Sequence, residues 1–223
     1  MKAVAVYCGS RAGTDPAFVA VAESLGTAIA ASGLALVYGG GVAGLMGATG
    51  MAAVRAGGHV TGVVPRAMLK GEGDPAVEST HLYKQVEKII VDSMHARKVE
   101  MAKRVDAFVG LPGGFGTLEE VMEVTTWTQI GIHRKPVVLI NIFGFYDPLK
   151  TMIDNGIRYG FIAEHSRNLL IFVDGPEDHA SHATFDWGTA AVKAAAEWRG
   201  GDAQPLYKWT AEGKPEESKL AAT

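Results

Sequence analysis

The chain has 223 residues, 48% of them hydrophobic and 20% charged, with 21 Lys and Arg against 24 Asp and Glu for a net charge of −3. That length suffices for one sizeable core, and no Pro- or Ser-rich linker divides it into comparable halves. The near-neutral balance, without a basic run, argues against polymeric DNA or RNA as a partner, and the single cysteine, Cys8, excludes an intramolecular disulfide and fits a reducing cytoplasm.

The apolar run Ala3-Val-Ala-Val-Tyr7 reads as a strand, too short and too poorly flanked for a signal peptide, and Cys8-Gly-Ser10 starts the loop after it. Thr14-Asp15-Pro16 then opens a helix that Gly33 stops. Further strands are expected near 34–38, 59–64, 86–91, 105–110, 136–141 and 169–173, with helices between most of them. Strands spaced by helices require crossover connections, hence a single α/β domain with a parallel sheet covered on both faces. Val137-Val-Leu-Ile140 and Leu169-Leu-Ile-Phe-Val173 are apolar throughout, as strands buried on both sides should be.

Residues 24–55 carry no charge before Arg55, which is long enough to suggest a membrane span, but they contain eight glycines, so no membrane helix is expected. Residues 65–85 are expected to form a surface excursion near the site. The domain should span 1–199, followed by a polar, loosely held tail over 200–223. In an open parallel sheet, ligands bind beyond the carboxyl ends of the strands, so the loops there hold the chemistry.

Many of the 28 glycines fall in those loops. Gly39-Gly40-Gly41-Val42-Ala43-Gly44 satisfies the G-x-G-x-x-G pattern of a dinucleotide turn, yet no Asp or Glu occurs between Glu23 and Glu72 to hold a ribose. Either a nucleotide or a close helix–sheet contact accounts for it. In the second loop, Leu111-Pro112-Gly113-Gly114-Phe115-Gly116-Thr117-Leu118-Glu119-Glu120, three glycines let backbone amides converge at a helix start, a cup for an anion. It lacks the Lys of a triphosphate-binding loop, so a monophosphate is the simpler ligand. Thr117 to Glu120 also reads as a capping box, in which Glu120 would bond back to its own helix.

Arg97 and Lys98 fall near the start of a helix after the strand Glu87-Lys-Ile-Ile-Val91, at the same sheet edge. An arginine there either forks onto a phosphate or belongs to a solvated face. The series Met94-His-Ala-Arg-Lys98, Pro112-Gly-Gly-Phe-Gly-Thr-Leu-Glu-Glu120, Thr126-Trp127 and Gly131-Ile-His133 resembles the LONELY GUY (LOG) family of cytokinin riboside 5′-monophosphate phosphoribohydrolases, long mislabelled as lysine decarboxylases. The resemblance runs from Cys8-Gly-Ser10 through Tyr38-Gly-Gly-Gly41 and Gly44-Leu-Met-Gly47 to about residue 165.

That resemblance implies a Rossmann-like fold, Arg97 and Glu120 as the catalytic pair, and a 5′-phosphate held by Gly113, Gly114, Gly116 and Thr117, with Phe115 and Glu119 in the same loop. Ser10, Gly40, Gly41, Lys98 and Thr126 are implied as further lining, and a homodimer with the site near its interface. Neither Glu72 nor Glu78 aligns with a family contact, which leaves the base open between adenine and N6-prenylated adenine. Glu123 and Trp127 follow Glu120 at helical spacing; Glu123 either shares the pocket or faces solvent. Trp127, Met46, Met94 and Met101 are assigned to core or interface rather than to base stacking, and His133 receives no catalytic role. No metal and no cofactor are expected.

Glu120 is expected under the ribose as a carboxylate, to stabilise an oxocarbenium-like sugar or orient water, while Arg97 anchors the ribose phosphate and by proximity helps fix Glu120 in its charged form. The rival readings are a non-catalytic nucleotide carrier, which need not retain the Arg97 and Glu120 pair, and a dehydrogenase.

Overall fold

The computed structural model describes residues 1–69, 81–200 and Tyr207. Seven strands form one parallel sheet: β1 (Ala3–Tyr7), β2 (Ala35–Tyr38), β3 (Val60–Pro65), β4 (Glu87–Val91), β5 (Ala107–Gly110), β6 (Val137–Ile140) and β7 (Leu170–Val173). Their order is β4-β3-β2-β1-β5-β6-β7. Each expected strand is present, within a residue or two of its expected bounds. Helices α1 (Pro16–Ala31), α2 (Gly44–Arg55), α3 (Met94–Arg104), α4 (Phe115–Ile130), α5 (Asp147–Arg158) and α6 (Trp187–Glu197) connect or follow them. The apolar stretch over 24–55 thus divides into the end of α1, β2, a glycine loop and α2, and among the described residues no helix is long and apolar enough to cross a membrane.

Local chemistry explains the boundaries. Asp15 caps α1 by accepting from the Ala17 amide, Pro16 takes the first turn, and Gly33 leaves the helix at φ 68°, a left-handed conformation that costs glycine little. One core layer packs α1, α2 and α6 against the sheet through Leu25, Ile29, Leu36, Leu45 and Trp187. The opposite layer packs α3 and α4 through Tyr7, Met101, Phe108, Val124 and Trp127. β6 is buried on both faces as expected. β7 is half-buried along most of its length despite its apolar sequence, because it lies at the edge of the sheet.

The strand order reverses at β1. The chain runs outward through β2, β3 and β4, then returns to place β5 on the other side of β1, so Tyr7 is registered with Gly110. Both glycine-bearing loops therefore gather at this switch point, where an open parallel sheet offers a crevice. Of the excursion expected over 65–85, short helical turns appear at Arg66–Met68 and Tyr83–Gln85. Residues 70–80, with Glu72 and Glu78, and the tail expected over 200–223, apart from Gly200 and Tyr207, lie outside the described residues.

Close helix packing depends on Gly26, where an added Cβ would sit 2.2 Å from the Thr49 carbonyl oxygen of α2. Alanine gains about 1 kcal/mol of intrinsic helix propensity over glycine, but the clash is with backbone and cannot be relieved by a rotamer change. Gly26→Ala is therefore expected to lower stability by roughly 1–3 kcal/mol in urea unfolding; a gain in stability would show that the α1–α2 contact is looser than described.

Candidate active site

A cavity of about 340 Å³ opens at the switch point between the loop after β1, the glycine loop after β2, and the starts of α3 and α4. Its frame is already tied together. The Gly9 amide donates to the Pro112 carbonyl at 3.1 Å, and the Gly9 carbonyl accepts from the Leu45 and Met46 amides at the start of α2. That contact occupies two first-turn amides of α2, the Leu45 and Met46 N–H groups. Gly44, at φ 58°, lies against the Ser10 backbone, where an added Cβ would come within 2.4 Å. Small residues thus let the loop pack closely against its neighbours, while Gly39 borders the cavity.

The second loop is different. α4 begins at Phe115 with Gly114 as its N-cap and no side chain closing the turn, so the capping box does not form, and Phe115, Gly116 and Thr117 of its first turn line the cavity. A helix start without a side-chain cap, bordering a cavity, has the chemistry to receive an anion. Gly113 must lack a side chain, since Thr117 Oγ1 lies 2.1 Å from where a Cβ would stand.

Arg97 and Glu120 form the inner wall. Each is 8% exposed, and Arg97 Nη1 stands 3.8 Å from Glu120 Oε1. Arg97 is aimed by a hydrogen bond from Nε to the Val63 carbonyl at 3.1 Å. Its guanidinium also lies over Gly39, where a Cβ would meet Nη2 at 1.9 Å. Burial lifts the Glu120 carboxyl to about 7, against the pull of Arg97. Arg97 acts as expected, drawing the carboxyl toward its charged form, but desolvation is the larger effect and leaves the pKa raised.

Ser10, Gly114, Phe115, Gly116, Thr117 and Glu119 line the same cavity as the pair. Gly113 borders an adjacent cavity of about 400 Å³ shared with Ser10, Phe18 and Phe145. Gly40, at φ 78°, lies behind the wall with its carbonyl bonded to the Tyr83 hydroxyl, and Gly41 packs on Met46. Lys98 is buried and bonded to both Glu119 and Glu123. Burial pulls its ammonium pKa down, but those two bonds prevail and leave it raised. Glu123 is thereby a partner of Lys98 rather than a wall of the cavity. Thr126 points to the outer side of α4, its hydroxyl bonded to the Met122 carbonyl.

Met101 and Trp127 are core, but Met46 and Met94, also assigned to core or interface, line the cavity. Met94 sits three residues before Arg97 on α3, so helical spacing alone placed it on the same face. Tyr7, Cys8 and Gly39 also form the wall and were not anticipated there, although the rule of carboxyl strand ends points at Tyr7 and at the loop it opens. His133 is buried against Phe108 and Trp127, which drives its pKa down to about 3, as suits a core residue.

A family model described as possible lysine decarboxylase matches residues 46–183. Cytokinin riboside 5′-monophosphate phosphoribohydrolase LOG of Oryza sativa subsp. japonica is 45% identical over 172 residues, covering 76% of this chain and 67% of that one. The chain belongs to the LOG family. A second LOG protein, cytokinin riboside 5′-monophosphate phosphoribohydrolase LOG7 of Arabidopsis thaliana, is 44% identical over 76% of this chain and 75% of its own. Among solved structures, the molybdenum cofactor carrier protein of Chlamydomonas reinhardtii covers 88% of this LOG-family chain and 100% of its own, with a TM-score of 0.56 and 24% identity. At that identity the likeness concerns the fold alone.

The raised Glu120 carboxyl has a consequence for stability. Its folded pKa of about 7 exceeds the ordinary 4.5, so between those values the folded state holds a proton that the unfolded chain has released. Stability should therefore fall as pH rises through that window, by up to about 3 kcal/mol. Glu120→Gln, which mimics the neutral form, is expected to melt higher than the parent protein at pH 8 and equally at pH 4.5. A lower melting temperature at pH 8 would place the carboxylate among the stabilising groups instead.

Proposed function

We propose that this chain hydrolyses the N-glycosidic bond of a nucleoside 5′-monophosphate bearing adenine or an N6-modified adenine, releasing the free base and ribose 5-phosphate. The observation that carries the reading is the buried Arg97 and Glu120 pair beside the uncapped start of α4, within one cavity of a LOG-family chain. The relatives named for this activity match it at 44–45% identity. A pure carrier needs the anion site but has no use for a carboxyl of raised pKa beside it.

In this reading the phosphate sits on the amides of Phe115, Gly116 and Thr117, within a cradle of Gly113, Gly114 and Ser10, and Arg97 turns to it. Binding the phosphate, remote from the bond that breaks, supplies the positioning, and it leaves Glu120 beneath the ribose. The C1′–N bond breaks with its electron pair leaving on the base, positive charge grows on the sugar, and the carboxylate stabilises that charge. The departing base takes up a proton from solvent, and water then bonds to C1′, giving up a proton to Glu120, which releases it to solvent and is restored. Lys98, held to Glu119 and Glu123, braces α3 against α4 and keeps the pair in register.

A second copy of the chain is the occupant assigned to the outer face of α4 and α5. Met152, Tyr159 and Phe161 are 72%, 67% and 89% exposed, and they line one groove with Met122. A monomer rarely leaves so much contiguous apolar surface bare. Light scattering after gel filtration should give twice 23.5 kDa, and Phe161→Asp combined with Met152→Asp should give the single mass; a parent protein that runs at the single mass rejects the dimer.

Incubation with N6-isopentenyl AMP or AMP is expected to yield free base and ribose 5-phosphate, while the corresponding nucleoside stays intact. Nucleotide binding without release of base would favour a carrier. Because the carboxylate is the active form, kcat/KM should fall about tenfold per pH unit below roughly 7. Glu120→Gln should retain nucleotide binding and lose most turnover, about 100-fold or more; undiminished turnover removes Glu120 from the mechanism.

A further inference from the structure

Tyr7 ends β1, the middle strand of the sheet, at the edge where the ligand loops gather. Its ring stacks on Phe108 with centroids 5.9 Å apart and planes 11° from parallel, and the residue is 2% exposed. The hydroxyl is buried without a hydrogen-bond partner among the described residues, and Tyr7 lines the cavity that holds Arg97 and Glu120. A buried donor left unmatched costs about 1–3 kcal/mol.

Glu120 presents the complementary deficit. Its nearest charged partner, Arg97, stands at 3.8 Å, beyond hydrogen-bond reach, and among the described residues no hydrogen bond ends on its carboxyl. The groups facing it are Arg97 and Lys98 from α3, Glu119 and Glu123 from its own helix, and Tyr7 with Cys8 from the end of β1. Lys98 is committed to Glu119 and Glu123. The Cys8 thiol is a weak donor. Burial first, and the nearby carboxylates of Glu120 and Glu123 after it, hold the Tyr7 hydroxyl well above its ordinary pKa, so it keeps its proton and acts as a donor.

We propose that Tyr7 is a positioning residue for the hydrolysis, whose hydroxyl donates to the Glu120 carboxylate once the substrate phosphate has drawn Arg97 away, fixing that carboxylate beneath the ribose. The inference rests on the hydrolase reading given above. It matches two unfilled hydrogen-bonding groups on one cavity wall with each other, and it gives Glu120 a neutral donor in place of a departing cation.

The test is Tyr7→Phe, which keeps the ring stack and removes only the unmatched hydroxyl. The variant should melt at or above the temperature of the parent protein. With N6-isopentenyl AMP or AMP its kcat should fall about tenfold or more, with KM within about twofold, because a transition-state contact is lost and phosphate binding is not. The ascending limb of its kcat profile should also move to higher pH, since the carboxylate has lost a donor that favoured its charged form. Tyr38→Phe removes a hydroxyl that is likewise buried and unmatched but lies in the core away from the cavity, and it should keep the parental kcat. A Tyr7→Phe enzyme with parental kcat and pH profile overturns the role of Tyr7 and leaves the hydrolase reading intact. A parent protein that releases no base overturns the hydrolase reading, and the role of Tyr7 with it.

Discussion

A carboxyl and a guanidinium, each 8% exposed, face one another across 3.8 Å at the bottom of the cavity, and the rest of the site is arranged around keeping them there. Burial of that kind is unfavourable for both charges, and the imperfect contact does not recover it, which is why Glu120 holds its proton to about 7. The surrounding structure imposes the arrangement. Val63 accepts from the Arg97 guanidinium, Gly39 leaves the space beside it open, and Lys98 ties α3 to α4 through two carboxylates. A buried pair held against its own electrostatic preference is stabilised by its scaffold rather than by itself.

The topology makes this possible with few elements. Reversal of strand order at β1 places the loop after β1 beside the loop after β5, while α3 returns from the far edge to present Arg97. The two glycine loops do different work although both precede helices. In one, the amides of α2 are joined to the Gly9 carbonyl and the contact is architectural; in the other, the start of α4 is left open. The difference lies in what closes each helix start, not in the number of glycines.

Much of this was legible in the sequence. The strand and helix alternation is strongly patterned because interior strands such as Val137–Ile140 must be apolar on both faces. Strand ends left Arg97 and Glu120 open between pocket and surface or capping box, and the resemblance to the LOG family was what paired them. Other features depend on neighbours distant in the chain. The capping box at Thr117 is locally plausible, yet the helix starts at Phe115 with Gly114 as its N-cap, which puts both Thr117 and Glu120 inside the helix. The raised pKa of Glu120 depends on desolvation by burial in the folded chain, which no spacing of residues reveals. Met46 and Met94 look like core in sequence because thioethers usually are, and their place on the cavity wall follows from loops meeting across the sheet.

The Gly9 peptide, bonded on one side to Pro112 and on the other to Leu45 and Met46, bears on the thermodynamics of capture. Three loops that would otherwise fluctuate independently are stitched to one peptide unit before any ligand arrives. Little backbone freedom is then left to lose on association, and the entropy of binding falls mainly on the incoming molecule and the water it displaces. A backbone fixed in this way leaves the adjustment on association to side chains.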